Sequence, residues 1–309
     1  MSDHLLTSEQ MALFAANGHL RFDNVVPNDI NSAFLSSVQA SGEQEQKDSR
    51  AHYARLMHDG AVPFVDPGTA WDKAYSKSSP IGRMLRLPQV QGAVESLVGK
   101  DAVVDHHFLH ITFPPSYTDG KAKPAQHLHQ DSTVDTRQAF DLQIMYFPHE
   151  VTPQMGGTRF VPGTHLRIVS EAAVSRYQNI LGQQHMVCPA GTLLFLHHGT
   201  WHGGGSNVGD TERYMLKIRL CPQVRQKMLW NSSDLDEQHF AQRPIFWSDP
   251  NRPADPVQEI LMREQPWFEA DTGRLELLNR IRFWRYLLGN ETFDADYWLT
   301  RIENEPQAD

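Results

Sequence analysis

Four side chains carry the chemistry legible in this sequence: His129 and Asp131, one residue apart, His202 well downstream, and Arg213 eleven residues beyond it. Two imidazoles and a carboxylate on one face of an Fe(II) ion leave its other positions open to substrate and dioxygen, as in non-heme iron oxygenases. In an extended strand, residues i and i+2 project to the same side, so His129 and Asp131 reach one ion. No cysteine stands in the set to turn it into a thiolate zinc centre. Arg213 offers a planar fork of donors that holds a carboxylate through two parallel bonds, which a lysine does not imitate. A His-x-Asp pair alone is common, and the ordered set of four makes the signal specific. His127 shares the strand face of His129 and is a lesser candidate ligand, or else a residue facing substrate. His106, His107, His110, His149, His185, His197 and His198 receive no role.

These residues need strands to carry them. From about residue 102 the chain breaks into short apolar segments at 103–113, 126–131, 140–148, 158–161, 185–188, 192–197 and 213–221, separated by Gly, Pro or Asp turns. That rhythm predicts an all-β sandwich or barrel, and a jelly roll brings ligands from distant strands to one open end. Parity creates a difficulty on the last strand. Arg213 alternates with Tyr214, Leu216, Ile218 and Leu220, so an inward apolar face would turn the arginine outward. Arg213 would then enter by a bulge or from the strand end, and it stays the preferred anion partner with Arg219 as the alternative.

Ahead of the strands, Thr7 and Gln10 form a capping-box spacing and Gly18 a stop, predicting a helix over 8–16. A strand over 20–26, a helix capped by Asn28 and a helix over 87–97 follow, with 41–70 read as a long surface excursion. After residue 229 come five of the seven tryptophans. Residues 274–288 have the spacing of an amphipathic helix, with Arg274, Arg280, Arg282 and Arg285 assigned to a solvated face. The organisation is thus a flank (1–101), a jelly-roll core (102–225) and an aromatic-rich, largely helical extension (226–309), within one compact domain. The extension is expected to cover the core and to supply a cleft wall or a dimer contact.

A formal net charge of -9 without a basic run argues against nucleic acid and anionic membranes as partners. Two cysteines make no disulfide framework, the start has no basic leader, and no window nears the ~18 apolar residues of a membrane span. The cytoplasm is the expected compartment.

The most specific segments are His129-Gln130-Asp131, Gly156-Gly157-Thr158-Arg159-Phe160-Val161-Pro162-Gly163-Thr164-His165, and Ala190-Gly191-Thr192 leading to Trp201-His202-Gly203. With Leu6-Thr7-Ser8-Glu9-Gln10 and Asn17-Gly18 before them and Arg219 after, the chain resembles the phytanoyl-CoA dioxygenase family of Fe(II)/2-oxoglutarate oxygenases. The resemblance implies a mainly β fold with flanking helices around a cupin-like double-stranded β-helix. It implies His129, Asp131 and His202 as iron ligands and Arg213 as partner of the distal 2-oxoglutarate carboxylate. Fe(2+), 2-oxoglutarate and O2 are then the cofactor and co-substrates, with succinate and CO2 released. Three protein ligands leave two positions for the 2-oxo acid and one for dioxygen. Related halogenases have a small residue where Asp131 stands, so its carboxylate implies hydroxylation or another oxidation. Two positions depart from the family pattern. Thr112-Phe113, not a lysine, precede Pro114-Pro115, and Gly204 stands where a small hydroxyl residue is common.

Two other readings use the same fold: a cupin-like metal enzyme, such as an isomerase or hydrolase, and a metal-free binding module. No phosphate-cradling glycine loop or basic groove for CoA is present, so a small-molecule metabolite is the expected substrate.

Overall fold

A computed structural model of the chain describes residues 4–40, 47–131, 140–167, 169–176, 178–235, 255–269, 272–293 and 295. Its strands are β1 (His19–Phe22), β2 (Thr69–Ala70), β3 (Val103–Thr112), β4 (Leu142–Phe147), β5 (Thr158–Phe160), β6 (Gln184–His185), β7 (Thr192–His197), β8 (His202–Gly204) and β9 (Arg213–Cys221). They form a six-stranded sheet in the order β1-β7-β4-β9-β3-β2 and a three-stranded sheet in the order β6-β5-β8, all pairs antiparallel. The fold is mainly β with flanking helices, a jelly roll whose two sheets do not close into a barrel.

Alternation along the central strands explains both layers. Leu142, Ile144 and Tyr146 of β4, Leu193 and Phe195 of β7, and Tyr214, Leu216, Ile218 and Leu220 of β9 share one buried cluster with the helical residues Phe14, Phe34, Val94, Phe283 and Trp284. The intervening Met145, Phe147, Leu194, Leu196 and Met215 pack instead with Phe160 and Met186 of the smaller sheet's side. Strands covered on both faces read as nearly continuous apolar runs, as β4 and β7 do. The parity difficulty at Arg213 disappears here, because the apolar face of β9 turns toward the helices and the Arg213 face toward the space between the sheets.

The first helix, Ser8–Asn17, has its complete capping box: Thr7 accepts from the Gln10 amide and the Gln10 side chain accepts from the Thr7 amide at 3.0 Å. Gly18 ends it with φ 73°, a left-handed conformation that costs glycine least. Asn28 does not cap the second helix, Asn28–Val38. It is the first helical residue, and Pro27 precedes it with no side-chain hydrogen bond. The 41–70 excursion contains a helix, Ser49–Asp59, which Asp48 caps by accepting from the amides of Arg50 and Ala51. Its weak apolar periodicity hid it. The predicted strand at 126–131 reduces to a single bridge between His129 and His202.

Among the described residues of the extension are two helices, Pro256–Met262 and Gly273–Leu288, both packed on the N-terminal helix. Trp230 donates to Ser8 Oγ at 3.0 Å and its ring lies 5.5 Å from that of Trp284. Trp267 donates to the Pro162 carbonyl at 2.8 Å. Trp247 and Trp298 lie outside the described residues. Arg280 does not belong to a solvated face: it is buried and donates to the carbonyls of Leu261 at 2.8 Å and Arg263 at 2.6 Å, at the end of the preceding helix. Trp230 and Trp284 therefore serve the helical layer, and removing the extension would expose that layer's core. Trp284 is completely buried, so Trp284→Ala should cost about 3–5 kcal/mol in a denaturant titration. A loss below ~1 kcal/mol would show that the layer closes without it.

His165 and His197 are buried against this layer with ring centroids 4.9 Å apart. Burial keeps His165 neutral down to about 3 and pushes His197 well below its ordinary value. In the unfolded chain each imidazole takes up a proton as pH falls below about 6.5. Their contribution is thus complete above that pH and is lost on acidification, with a limiting slope of about 1.4 kcal/mol per pH unit for each histidine. Denaturant titrations in chelator at pH 7.5 and pH 5 should show the loss, and equal stabilities would mean that the folded imidazoles already bind protons at pH 5. Among the described residues no helix is long and apolar enough to cross a membrane.

Candidate active site

The Gly156-to-His165 motif supplies no ligand but builds the frame. β5 pairs with β8 so that Phe160 faces His202, and the Val161 amide donates to the Trp201 carbonyl at 3.0 Å. Thr164 Oγ1 accepts from the Trp201 amide at 3.0 Å, while Arg159 donates to the Gln126 carbonyl. The 126–131 segment is thereby held against β8. His129 and His202 exchange both main-chain hydrogen bonds at 2.9 Å, and the Asp131 amide donates to the His198 carbonyl at 3.2 Å. Gly203 permits the close approach: a Cβ there would stand 2.8 Å from the His127 carbonyl oxygen.

This frame brings His129, Asp131 and His202 together, with one potential ligand atom from each within 4.8 Å of the others. His129 Nε2 is 3.4 Å from Asp131 Oδ1, and His202 Nε2 is 3.7 Å from Asp131 Oδ2. The opposite ring nitrogens are engaged by the main chain, His129 Nδ1 with the His127 carbonyl at 3.1 Å and His202 Nδ1 with the Thr200 carbonyl at 2.8 Å. A carbonyl only accepts, so each Nδ1 bears a proton and each Nε2 is left as the atom facing a metal. The side chain of His127 is exposed, and its contribution is this carbonyl.

Burial alone would raise the Asp131 carboxyl, but His129, His202 and Lys217 around it hold it far below the carboxylate range. Burial pushes His202 down to about 4, which keeps it neutral at pH 7. For His129 burial is outweighed by Asp131 and the His127 carbonyl, and its value is raised.

A cavity of about 410 Å³ opens beside the triad, its wall including His129, His202, Arg213, Met215 and Lys217. Arg213 is 2% exposed and donates through Nη2 to Thr112 Oγ1. Its Nε and Nη1 are buried without a hydrogen-bond partner among the described residues. Burial lowers it to about 10, so it remains a cation at neutral pH. Arg219 instead pairs with Asp141, its Nε 3.0 Å from Oδ2.

Several residues of the site escaped the sequence reading. Thr112 orients Arg213 at one of the two departures from the family pattern, and His110 lines the cavity although no role was given to it. Lys217 and Gln143 both bond Asp131. Lys217 lies four residues after Arg213 on the same strand face, and Gln143 interrupts an otherwise apolar strand, so both left a trace in the sequence. No described residue of the C-terminal extension is among those lining the cavity, so the expected cleft wall is not found there.

Residues 14–215 match the family model described as Phytanoyl-CoA dioxygenase (PhyH). An uncharacterized protein of Mycobacterium tuberculosis is 28% identical over 132 residues, which are 42% of this chain and 46% of the relative. The chain thus spans about half the length of that relative. The peroxisomal phytanoyl-CoA dioxygenase of Homo sapiens is 23% identical over 225 residues, 67% of this chain and 66% of its own. Among solved structures, the non-heme alpha ketoglutarate dependent carbocyclase SnoK from nogalamycin biosynthesis aligns with a TM-score of 0.48 at 17% identity. The alignment covers 70% of this chain and 84% of that one.

Proposed function

We propose that this chain, which belongs to the phytanoyl-CoA dioxygenase family, is an Fe(II)- and 2-oxoglutarate-dependent dioxygenase hydroxylating an unactivated C–H bond of a small metabolite. The observation that carries the reading is Arg213, a buried guanidinium with two nitrogens unpartnered among the described residues, in the wall of the cavity that also holds His129 and His202. A buried charge left unpaired costs several kcal/mol, and a carboxylate accepting from the free N–H groups of the guanidinium offsets that cost. The donor set of the triad, two neutral imidazole nitrogens and a carboxylate oxygen, fits Fe(II). Iron bound there, with 2-oxoglutarate and O2, would supply oxidation of the C–H bond with release of succinate and CO2.

The protein's own part is placement. Arg213, oriented by Thr112, would bind the distal carboxylate of 2-oxoglutarate. The Nδ1 bonds to the His127 and Thr200 carbonyls orient the two imidazoles, and Met145 and Met215 give the cavity a water-excluding wall. A cavity of about 410 Å³ falls within the range of small-molecule sites, ~300–1,000 Å³.

The test is O2 consumption and succinate formation by Fe(II)-loaded protein, screened over a panel of metabolites. Substrate-stimulated succinate, equal in amount to a hydroxylated product, supports the proposal. A cupin-like isomerase or hydrolase that does not use 2-oxoglutarate would form no succinate and consume no O2. Absence of succinate from fully iron-loaded protein across the panel, together with no detectable 2-oxoglutarate binding, would overturn it.

A further inference from the structure

We propose that Lys217 and Gln143 are a positioning pair that makes Asp131 a one-oxygen metal ligand, with Oδ1 facing the ion. The inference rests on the reading of His129, Asp131 and His202 as a metal centre, and it concerns how that centre is kept open.

Asp131 Oδ2 accepts two hydrogen bonds from the main sheet, one from Lys217 Nζ at 3.1 Å and one from Gln143 Nε2. A carboxylate oxygen has two lone-pair directions, and these donors occupy both. Oδ1 lies 3.4 Å from His129 Nε2 and Oδ2 3.7 Å from His202 Nε2, but only Oδ2 also carries the two donors. The two oxygens are therefore not equivalent before any ion arrives.

Both donors are placed at a cost that invites a reason. Lys217 is 8% exposed in β9, cross-strand from Phe108 of β3 and Met145 of β4, with its ammonium 5.7 Å from the Phe108 ring centroid. Ordering so long a side chain and desolvating its charge are both unfavourable. Gln143 is wholly buried amid the apolar side chains of β4. The two approach Asp131 from neighbouring strands of the large sheet, whereas the triad is held by the bridge to the small one. Asp131 is thus fixed from both sides of the sandwich.

The consequence is a matter of counting positions. A carboxylate binding through both oxygens would take an additional coordination position. Engaging Oδ2 with two donors leaves Oδ1 as the oxygen free to bind the ion, and more of the ion stays open to exogenous ligands. A bare charge-compensating role for Lys217 would not require Gln143 on the same oxygen.

The experiment is Co(II) titration of metal-free protein, followed by calorimetry and visible absorption, on wild type, Lys217→Met, Lys217→Arg and Gln143→Leu, with melting temperatures in parallel. Lys217→Met and Gln143→Leu should each weaken Co(II) binding by about 10–100-fold, the range for loss of an outer partner of a metal ligand. Each should also shift the cobalt ligand-field bands, and Lys217→Arg, which keeps a cationic donor, should largely restore both. Unchanged affinity and spectrum in a folded Lys217→Met or Gln143→Leu would overturn the pairing while leaving the metal centre standing. Tighter binding by Lys217→Met would also overturn it, because the ammonium would then act on the ion by repulsion. Should Lys217→Met not fold, Gln143→Leu and Lys217→Arg decide on the same criteria. A folded wild type that binds no Co(II) would overturn the metal reading itself, a result distinct from failure of the pair alone.

Discussion

Replacing His129 or His202 by alanine should reduce succinate formation to the level of protein without iron. On the proposed reading each imidazole is one of three protein donors, and the loss should exceed the roughly 10–100-fold typical of outer partners. The fold should persist in both variants. The hydrogen bonds that join residues 129 and 202 run between main-chain atoms and do not depend on the imidazoles. His202 is the more buried of the two, so His202→Ala should lower the melting temperature more than His129→Ala. Metal content per chain and melting temperature separate a missing ligand from a misfolded protein. Activity like that of wild type in either variant under limiting iron would remove that residue from the ligand set.

The second large effect concerns 2-oxoglutarate. Arg213→Lys keeps the charge but loses the fork and the bond to Thr112, and should weaken 2-oxoglutarate binding by about 1.5–3 kcal/mol. That is roughly a ten- to 150-fold rise in Kd, measurable by calorimetry on protein loaded with a redox-inert metal. Arg219→Lys should change the Kd far less, because Arg219 already pairs with the Asp141 carboxylate, which outweighs burial and raises its value. Its cost should appear in stability. If the ranking of the two variants were reversed, Arg219 would be the anchor and the Asp141 pair would have to open on binding.

His129 and Asp131 were legible as a pair because their chemistry is local and their spacing is short. His129 and Asp131 are two apart in an extended segment, and no other arrangement of that segment is needed to put them on one side. The first helix was legible for a similar reason, since its capping box and its glycine stop lie within the helix and its immediate neighbours. β4, β7 and β9 announced themselves by β-branched, aromatic and leucine-rich runs between turns. The helix Ser49–Asp59 did not, because its stripe of buried residues reduces to His52 and Leu56.

Side-chain types and periods along the chain determined that there is a β core, where its central strands lie, and which imidazoles and carboxylate could meet. Alternation on β9 also determined that Arg213, Met215, Lys217 and Arg219 share a face. Which way that face looks was a tertiary decision. The rule that apolar faces point inward does not specify which interior, and here the helices offer Tyr214, Leu216, Ile218 and Leu220 a larger apolar layer than the space between the sheets does. The same decision set Lys217 against Asp131, 86 residues away in sequence, and buried Arg280 under carbonyls of another helix. Periodicity is a property of neighbours along the chain. The partner that covers each face is chosen by the burial and hydrogen bonding available from segments far apart, and no local pattern contains that choice.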